Sequence, residues 1–215
     1  MFIDDIKYWE KYYKKNNIPF EPTPFSKFIL QYLDLENGKN LVELGCGNGR
    51  DSIFLSNSGI NVLGIDQVNT EIKFLNKEFS SDNLKFICSD FTNLDFTNLD
   101  FKFDYVYSRF TLHSIDEEAE NRVLNWVSDH LNENGLFFVE ARSINDTLYN
   151  SGTQISNNEN FTDHYRRYMD KSIFISKLEK LCFKIVYSIE DNGLAIYKNE
   201  DPKIVRIISK KIFKN

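Results

Sequence analysis

The sequence predicts an α/β protein: a doubly wound sheet of seven strands, mostly parallel, with an antiparallel hairpin at its C-terminal side. Three observations predict it. Short apolar runs alternate with segments of helical period, the pattern of a parallel sheet covered on both faces. The first run leads into a glycine-rich turn, LVELGCGNGRD (41–51), which places Gly45, Gly47 and Gly49 at alternate positions in a chain of only nine glycines. The last two runs, FKIVYSI (183–189) and IVRIIS (204–209), are joined by a loop with no helical period, which reads as a hairpin.

Taken in order, Tyr8, Trp9, Tyr12 and Tyr13 share one side of a helix. Pro19, Pro22 and Pro24 then force an extended link. Thr23 and Pro24 are the N-cap and first position of a second helix with an apolar stripe of Phe25, Phe28, Ile29, Tyr32 and Leu33. LVEL (41–44) is the first strand, and residues 52–58 are helical. NVLGI (61–65) is the second strand, and a helix over 69–79 turns Ile72, Phe74, Leu75 and Phe79 inward. LKFIC (84–88) and FDYVYS (103–108) are the third and fourth strands. Ser114 and Glu117 have the spacing of a capping box before a helix carrying Ala119, Val123, Trp126, Val127 and Leu131 on one face. LFFVE (136–140) is the fifth strand, and one more helix takes Phe174, Leu178 and Leu181. The repeat FTNLD, at 91–95 and 96–100, reads as a duplication in a surface loop.

Composition excludes several classes. The 215 residues suffice for one well-cored domain, and 41% hydrophobic with 27% charged residues is the globular range. A net charge of −6 without a Lys/Arg block argues against a general nucleic-acid binder, while leaving room for a small anion held by a few arginines. No apolar run is long enough to span a membrane, and the charged start MFIDDIKYWEKYYKK is not a signal peptide. Cys46, Cys88 and Cys182 are odd in number and far apart, and they suggest neither a disulfide framework nor a zinc site. A cytoplasmic, reduced chain without a metal is expected.

A strand running into a Gly-rich turn and then a helix is the nucleotide-binding unit of a Rossmann-like sheet. The spacing here is G-x-G-x-G, and Glu43 stands two residues before the first glycine. A carboxylate there repels a pyrophosphate and attracts an ammonium group, which suits S-adenosylmethionine better than a dinucleotide. An NAD-dependent oxidoreductase is the rival that this spacing disfavours. Asp66 follows Gly45 by 21 residues at the end of the second strand, where an acid accepts both hydroxyls of a ribose. Asp90 and Phe91 after the third strand can take an adenine amino group and stack on its ring.

ELGCGNGRD, GIDQ, CSDF and FDYVYSRFTLH, in this order over roughly residues 39–140, resemble the cofactor motifs of class I S-adenosylmethionine-dependent methyltransferases. The resemblance implies cofactor contacts from Glu43, Gly45, Cys46, Gly47, Asn48, Arg50, Asp51, Asp66, Gln67, Asp90, Phe91 and Ser108, with Arg50 on the methionine carboxylate. It divides the chain into an N-terminal helical cap (1–38) and a methyltransferase domain (39–215) with a substrate-binding insertion at about 142–170.

The tetrad that amino-group methyltransferases of nucleic acids carry after the fourth strand is absent; SRFTLH (108–113) stands there, with Arg109 and His113. Arg142 follows the fifth strand, and an Asn-rich stretch leads to DHYRRYMD, with His164, Tyr165, Arg166 and Arg167. Guanidinium forks match phosphate-like oxygens. Arg109, His113, Arg142, His164, Tyr165 and Arg166 are therefore candidates for an anionic small-molecule acceptor. The stretch from Arg142 to Arg167 is similar to bacterial O-methyltransferases encoded with capsule genes, some of which are implicated in methylating a phosphoramidate decoration. That likeness implies a phosphoryl or phosphoramidate-bearing acceptor in capsular polysaccharide biosynthesis. A neutral hydroxyl acceptor would need a base, and His113 is the candidate.

Overall fold

The strand LVEL and its neighbours form the centre of a seven-stranded sheet. In the computed structural model, which describes residues 3–15, 21–94 and 102–213, this sheet has the order β3-β2-β1-β4-β5-β10-β9. Its strands are β1 (Asn40–Leu44), β2 (Asn61–Asp66), β3 (Leu84–Cys88), β4 (Phe103–Arg109), β5 (Leu131–Arg142), β9 (Phe183–Asp191) and β10 (Ile204–Lys211). β1 lies parallel to both neighbours, with Leu41 opposite Val62 on one side and Tyr105 on the other. β10 runs antiparallel between β5 and β9, as the hairpin reading requires. Pro19 and the second FTNLD copy lie outside the described residues.

Alternation along β1 assigns its side chains to two cores. Val42 and Leu44 face α5 (Glu117–His130) and α6 (Lys171–Lys180), packing with Val123, Val127, Phe174 and Leu178. Leu41 faces the opposite layer, formed by α2 (Pro24–Ile29), α3 (Arg50–Asn57) and α4 (Asn69–Phe79), and packs with Phe25, Ile29, Leu55, Ile72 and Leu75. Full burial of each such side chain contributes about 1.5–3 kcal/mol. The edge strand β9 alternates between half-buried or buried and exposed residues, because only one face of its outer end is covered. A further helix, α1 (Ile3–Lys15), carries the N-terminal aromatics.

Three local expectations change. Ser114 does not cap α5; Asp116 does, accepting from the Ala119 N–H at 2.7 Å, because Ser114 still belongs to a 3-10 turn over 112–114. Phe74 is 45% exposed, on the solvent side of α4. The Asn-rich stretch is not a bare loop: β6 (Thr153–Ser156), β7 (Glu159–Phe161) and β8 (Tyr165–Arg167) form a small antiparallel sheet.

α2 is held by one residue of α3. Thr23 caps α2, its hydroxyl accepting from the Ser26 N–H. Asp51 accepts from the Thr23 N–H (2.8 Å), Thr23 Oγ1 (2.8 Å), Ser26 Oγ (2.8 Å) and Tyr107 OH (2.9 Å), two donors on each oxygen, and it is 3% exposed. Asp51→Ala leaves those buried donors unpaired, and we predict a loss of roughly 2–5 kcal/mol in urea unfolding. A loss under about 1 kcal/mol would contradict this role.

Candidate functional site

Strand order reverses between β1 and β4, so the loops leaving the two strands part and open a crevice at their carboxyl ends. A cleft of about 1030 Å³ lies there. Its inner half is the glycine-rich turn. The N–H groups of Gly45 and Cys46 both donate to Ile65 O, at 2.8 and 2.9 Å, which lashes the turn to β2. Gly47 N donates to Asp66 Oδ2 at 2.9 Å, and Val68 N to Asp66 Oδ1 at 2.9 Å. Burial raises the Asp66 carboxyl above the usual range, and these N–H groups oppose the rise.

Glycine is required at two of these positions for different reasons. Gly47 has φ +53°, and a Cβ on it would project toward the Tyr13 hydroxyl, 2.6 Å away, at the cleft. Gly45 has φ +73°, and its Cβ would strike Thr111 Cγ2 at 2.3 Å. A side chain at Gly45 therefore collides with the β4 exit, closing the fold against itself.

The residues expected at the cofactor divide into two sets. Glu43, Gly45, Cys46, Gly47, Asn48, Arg50, Asp51, Asp66, Gln67 and Phe91 line the cleft. Glu43 is buried beside Asp51 and takes a hydrogen bond from Ser52; burial first, then the Asp51 charge, pushes its carboxyl well above the ordinary range. Asp51 lines the cleft with its oxygens already occupied by α2 and Tyr107. Asp90 and Ser108 do not line it. Asp90 Oδ1 caps the turn over 91–93, taking Thr92 N at 2.9 Å and Thr92 Oγ1 at 2.8 Å. Ser108 is fully buried against Thr111, 2.5 Å between hydroxyl oxygens.

In the outer half, Arg109, His113, Arg142, His164 and Arg166 line the same cleft, and Tyr165 does not. Tyr165 lies in β8, where burial and then the Glu159 carboxylate push its hydroxyl up. Arg109, Arg142 and Arg166 are already paired with carboxylates. Arg109 Nε meets Glu140 Oε1 at 2.9 Å. Arg142 meets Asp146 Oδ1 at 3.1 Å and Glu200 Oε2 at 2.8 Å. Arg166 meets Asp163 Oδ1 at 2.7 Å, and Arg167 is buried against Glu120.

Sequence reasoning missed the loop between β9 and β10. Ala195, Ile196, Tyr197, Lys198, Glu200 and Pro202 reach the cleft. The pairing of Ile204 with Arg142 brings this loop over Arg142, and pairing is not written in the loop's own composition. Phe110 was also passed over; it has φ 53°, rare for a bulky residue, and lies in the cleft wall.

Both cleft histidines are neutral at neutral pH. Burial, then the charges of His164, Arg142, Arg166 and Arg109, holds His113 well below its ordinary value. Burial, then Arg166, lowers His164 to about 4, with Asp163 opposing. A histidine whose folded value is depressed binds its proton more readily in the unfolded chain. Its contribution to stability is complete above pH 6.5 and is lost as the pH falls toward 4. From pH 7 to 4.5, His164 should account for about 2–3 kcal/mol of lost stability. Denaturant unfolding of His164→Gln should show a correspondingly shallower decline; the same decline as wild type would contradict the buried, neutral state.

The described residues contain neither a cluster of three metal-ligating side chains nor a helix long and apolar enough to cross a membrane. The family described as tellurite resistance protein TehB matches residues 1–179. Among curated proteins, phosphoethanolamine N-methyltransferase 1 of Triticum aestivum is 27% identical over 114 residues, 52% of this chain and 23% of that protein. The probable S-adenosyl-L-methionine-dependent methyltransferase TehB of Haemophilus influenzae is 26% identical over 108 residues, 50% of this chain and 37% of that protein. The matches thus span well under half of these relatives' length. In structure, an S-adenosylmethionine-dependent methyltransferase from Clostridium acetobutylicum superposes with TM-score 0.69 at 18% identity, covering 96% of this chain and 98% of that one. TehB from Haemophilus influenzae gives TM-score 0.65 at 17% identity, covering 86% of this chain and 62% of that one. The fold is shared with these structures, and the match over residues 1–179 carries the assignment: the chain belongs to the TehB family of S-adenosylmethionine-dependent methyltransferases.

Proposed function

We propose that this chain transfers the methyl group of S-adenosylmethionine to an oxygen of a small anionic acceptor bound in the outer half of the cleft. One observation carries the reading: Asp66, held beside the Gly47 N–H at the end of β2, shares a single cleft with Arg109, His113 and Arg142. The residues fit the cofactor. Asp66 would accept the ribose hydroxyls, and the bare backbone at Gly47 permits a close approach to the turn, which the Tyr13 ring makes in this structure. Phe91 would pack against the adenine, Glu43 would face the amino group, and Arg50 the methionine carboxylate. The cofactor supplies a sulfonium leaving group and the methyl carbon; the chain's share is alignment, worth effective molarities up to ~10⁵–10⁸ M.

On the acceptor side, Glu140 takes Arg109 through Nε and so turns the rest of the guanidinium fork toward the cleft that Arg109 lines. The partner of Arg142 from the β9–β10 loop, Glu200, has a side chain 64% exposed, and an acceptor anion could exchange with it. A phosphoryl or phosphoramidate oxygen is already ionised and needs no base, which agrees with the capsule-locus likeness of residues 142–167. The small sheet β6-β7-β8 would be the substrate-binding insertion, and α1 the cap that keeps water from the reaction. The enzyme would work in the cytoplasm. A second reading, a neutral hydroxyl deprotonated by His113, is favoured by the carboxylate partners of Arg109, Arg142 and Arg166.

Calorimetry with S-adenosylhomocysteine tests the cofactor half. Wild type should bind it and not NAD, and Asp66→Ala should weaken binding at least about 100-fold by removing two charge-assisted hydrogen bonds. Tight NAD binding, or wild-type affinity in Asp66→Ala, would overturn the assignment. Once turnover is measured, Arg142→Ala should raise the acceptor KM and leave S-adenosylhomocysteine affinity unchanged. His113→Ala separates the two acceptor readings. A phosphoryl acceptor keeps kcat nearly flat from pH 7 to 9, and a hydroxyl acceptor loses about 10²–10⁴-fold.

A further inference from the structure

The outer half of the cleft has two aromatic walls. One is α1, where Tyr8 and Trp9 meet edge to face with ring centroids 5.1 Å apart. The His164 ring lies 4.5 Å from Tyr8 and 5.4 Å from Trp9. Tyr8 is tied across the cleft by its hydroxyl, which donates to Asp163 Oδ2 at 2.8 Å. The other wall is a stack: Arg109 Cζ lies 4.5 Å from the centre of the Phe110 ring, and Phe110 lies 5.3 Å from His113 at an interplanar angle of 26°.

This second wall is built at the cost of an unfavourable backbone. Phe110 sits at φ 53°, where a bulky side chain is seldom found, and its N–H is pinned to Glu140 O at 2.8 Å. Glu140 also fixes Arg109, and Arg206 holds Glu140 from beneath at 2.5 Å. The strained turn thus delivers one aromatic ring to the cleft. Beside it, His113 Nδ1 is buried with no hydrogen-bond partner among the described residues. Chains bury such an atom when something else supplies its partner.

We propose that the methyl acceptor carries a planar unsaturated ring, lodged between the aromatic face of α1 and the Arg109–Phe110–His113 stack. This rests on the methyltransferase reading above and adds the acceptor's chemical class. Flat rings pack against such walls by offset or edge-to-face contact, and a guanidinium in the wall adds attraction to an electron-rich ring. Sugars and open-chain phosphates would leave both walls unused.

The test is calorimetry on protein loaded with S-adenosylhomocysteine, using phenyl phosphate, glycerol 3-phosphate and phenol as probes. Phenyl phosphate should bind about tenfold or more tightly than glycerol 3-phosphate, and phenol should bind measurably if the ring alone suffices. In Phe110→Gly, which suits the left-handed backbone, and in Trp9→Leu on the facing wall, that advantage should fall below about threefold with S-adenosylhomocysteine affinity unchanged. Equal binding of the two phosphates, no binding of either, or an advantage that survives both substitutions overturns the ring proposal. Failure of wild type to bind S-adenosylhomocysteine at all would overturn the underlying reading instead.

Discussion

The site depends on one backbone constraint: the glycine-rich turn is lashed down onto the end of β2. Two successive N–H groups converge on Ile65 O, and a third reaches the carboxylate of the next residue, Asp66. Only left-handed backbone makes this path, and Gly45, Gly47 and Gly49 all adopt it. The turn and the acidic residue at the second strand are thereby set as one rigid unit. α3 starts directly from it, with Gly49 tight against Leu75 and Phe86, so helix packing on that face inherits the same geometry. Asp51, in the first turn of α3, then fixes α2 against β4 through Thr23, Ser26 and Tyr107. From one turn, the arrangement spreads across an entire layer of the protein.

Buried charge is the second theme. Glu140 lies between Arg109 and Arg206, and Arg206 itself packs over Phe25 and Phe28 and donates to Leu194 O. Such a triad contributes little net stability, since desolvation consumes most of the attraction. Its effect is orientation: Arg109 is pointed from a fixed anchor, at the strand end where the cleft opens. Burial first, and then the neighbouring cationic side chains, hold His113 and His164 below their ordinary range. An acceptor bringing negative charge would oppose that effect and raise the basicity of both imidazoles, so charge on the acceptor and base strength in the site are linked.

Much of this was legible in the sequence. Alternating apolar runs and helical stripes gave the sheet and its hairpin, since a strand buried on both faces has to be apolar throughout, as Leu41–Leu44 nearly is. The glycine-rich turn was legible because backbone geometry demands glycine in a fixed pattern. What escaped was set by tertiary pairing. Glu200 reaches Arg142 only through the β5–β10 register, and Glu140, distant in sequence, pairs with Arg109, which looks unaccompanied in a linear reading. The cap of α5 slipped from Ser114 to Asp116 because a 3-10 turn intervenes. Phe110 carries no sequence mark of its left-handed backbone.

A crystal structure with S-adenosylhomocysteine bound tests the central claim most directly, that the lashed turn and Asp66 form the cofactor seat. The ribose hydroxyls should lie within hydrogen-bond distance of Asp66, the adenine against Phe91, and the sulfur should point toward the wall formed by Arg109 and His113. A ribose elsewhere, with Asp66 bonded only to backbone N–H groups such as those of Gly47 and Val68, would contradict it.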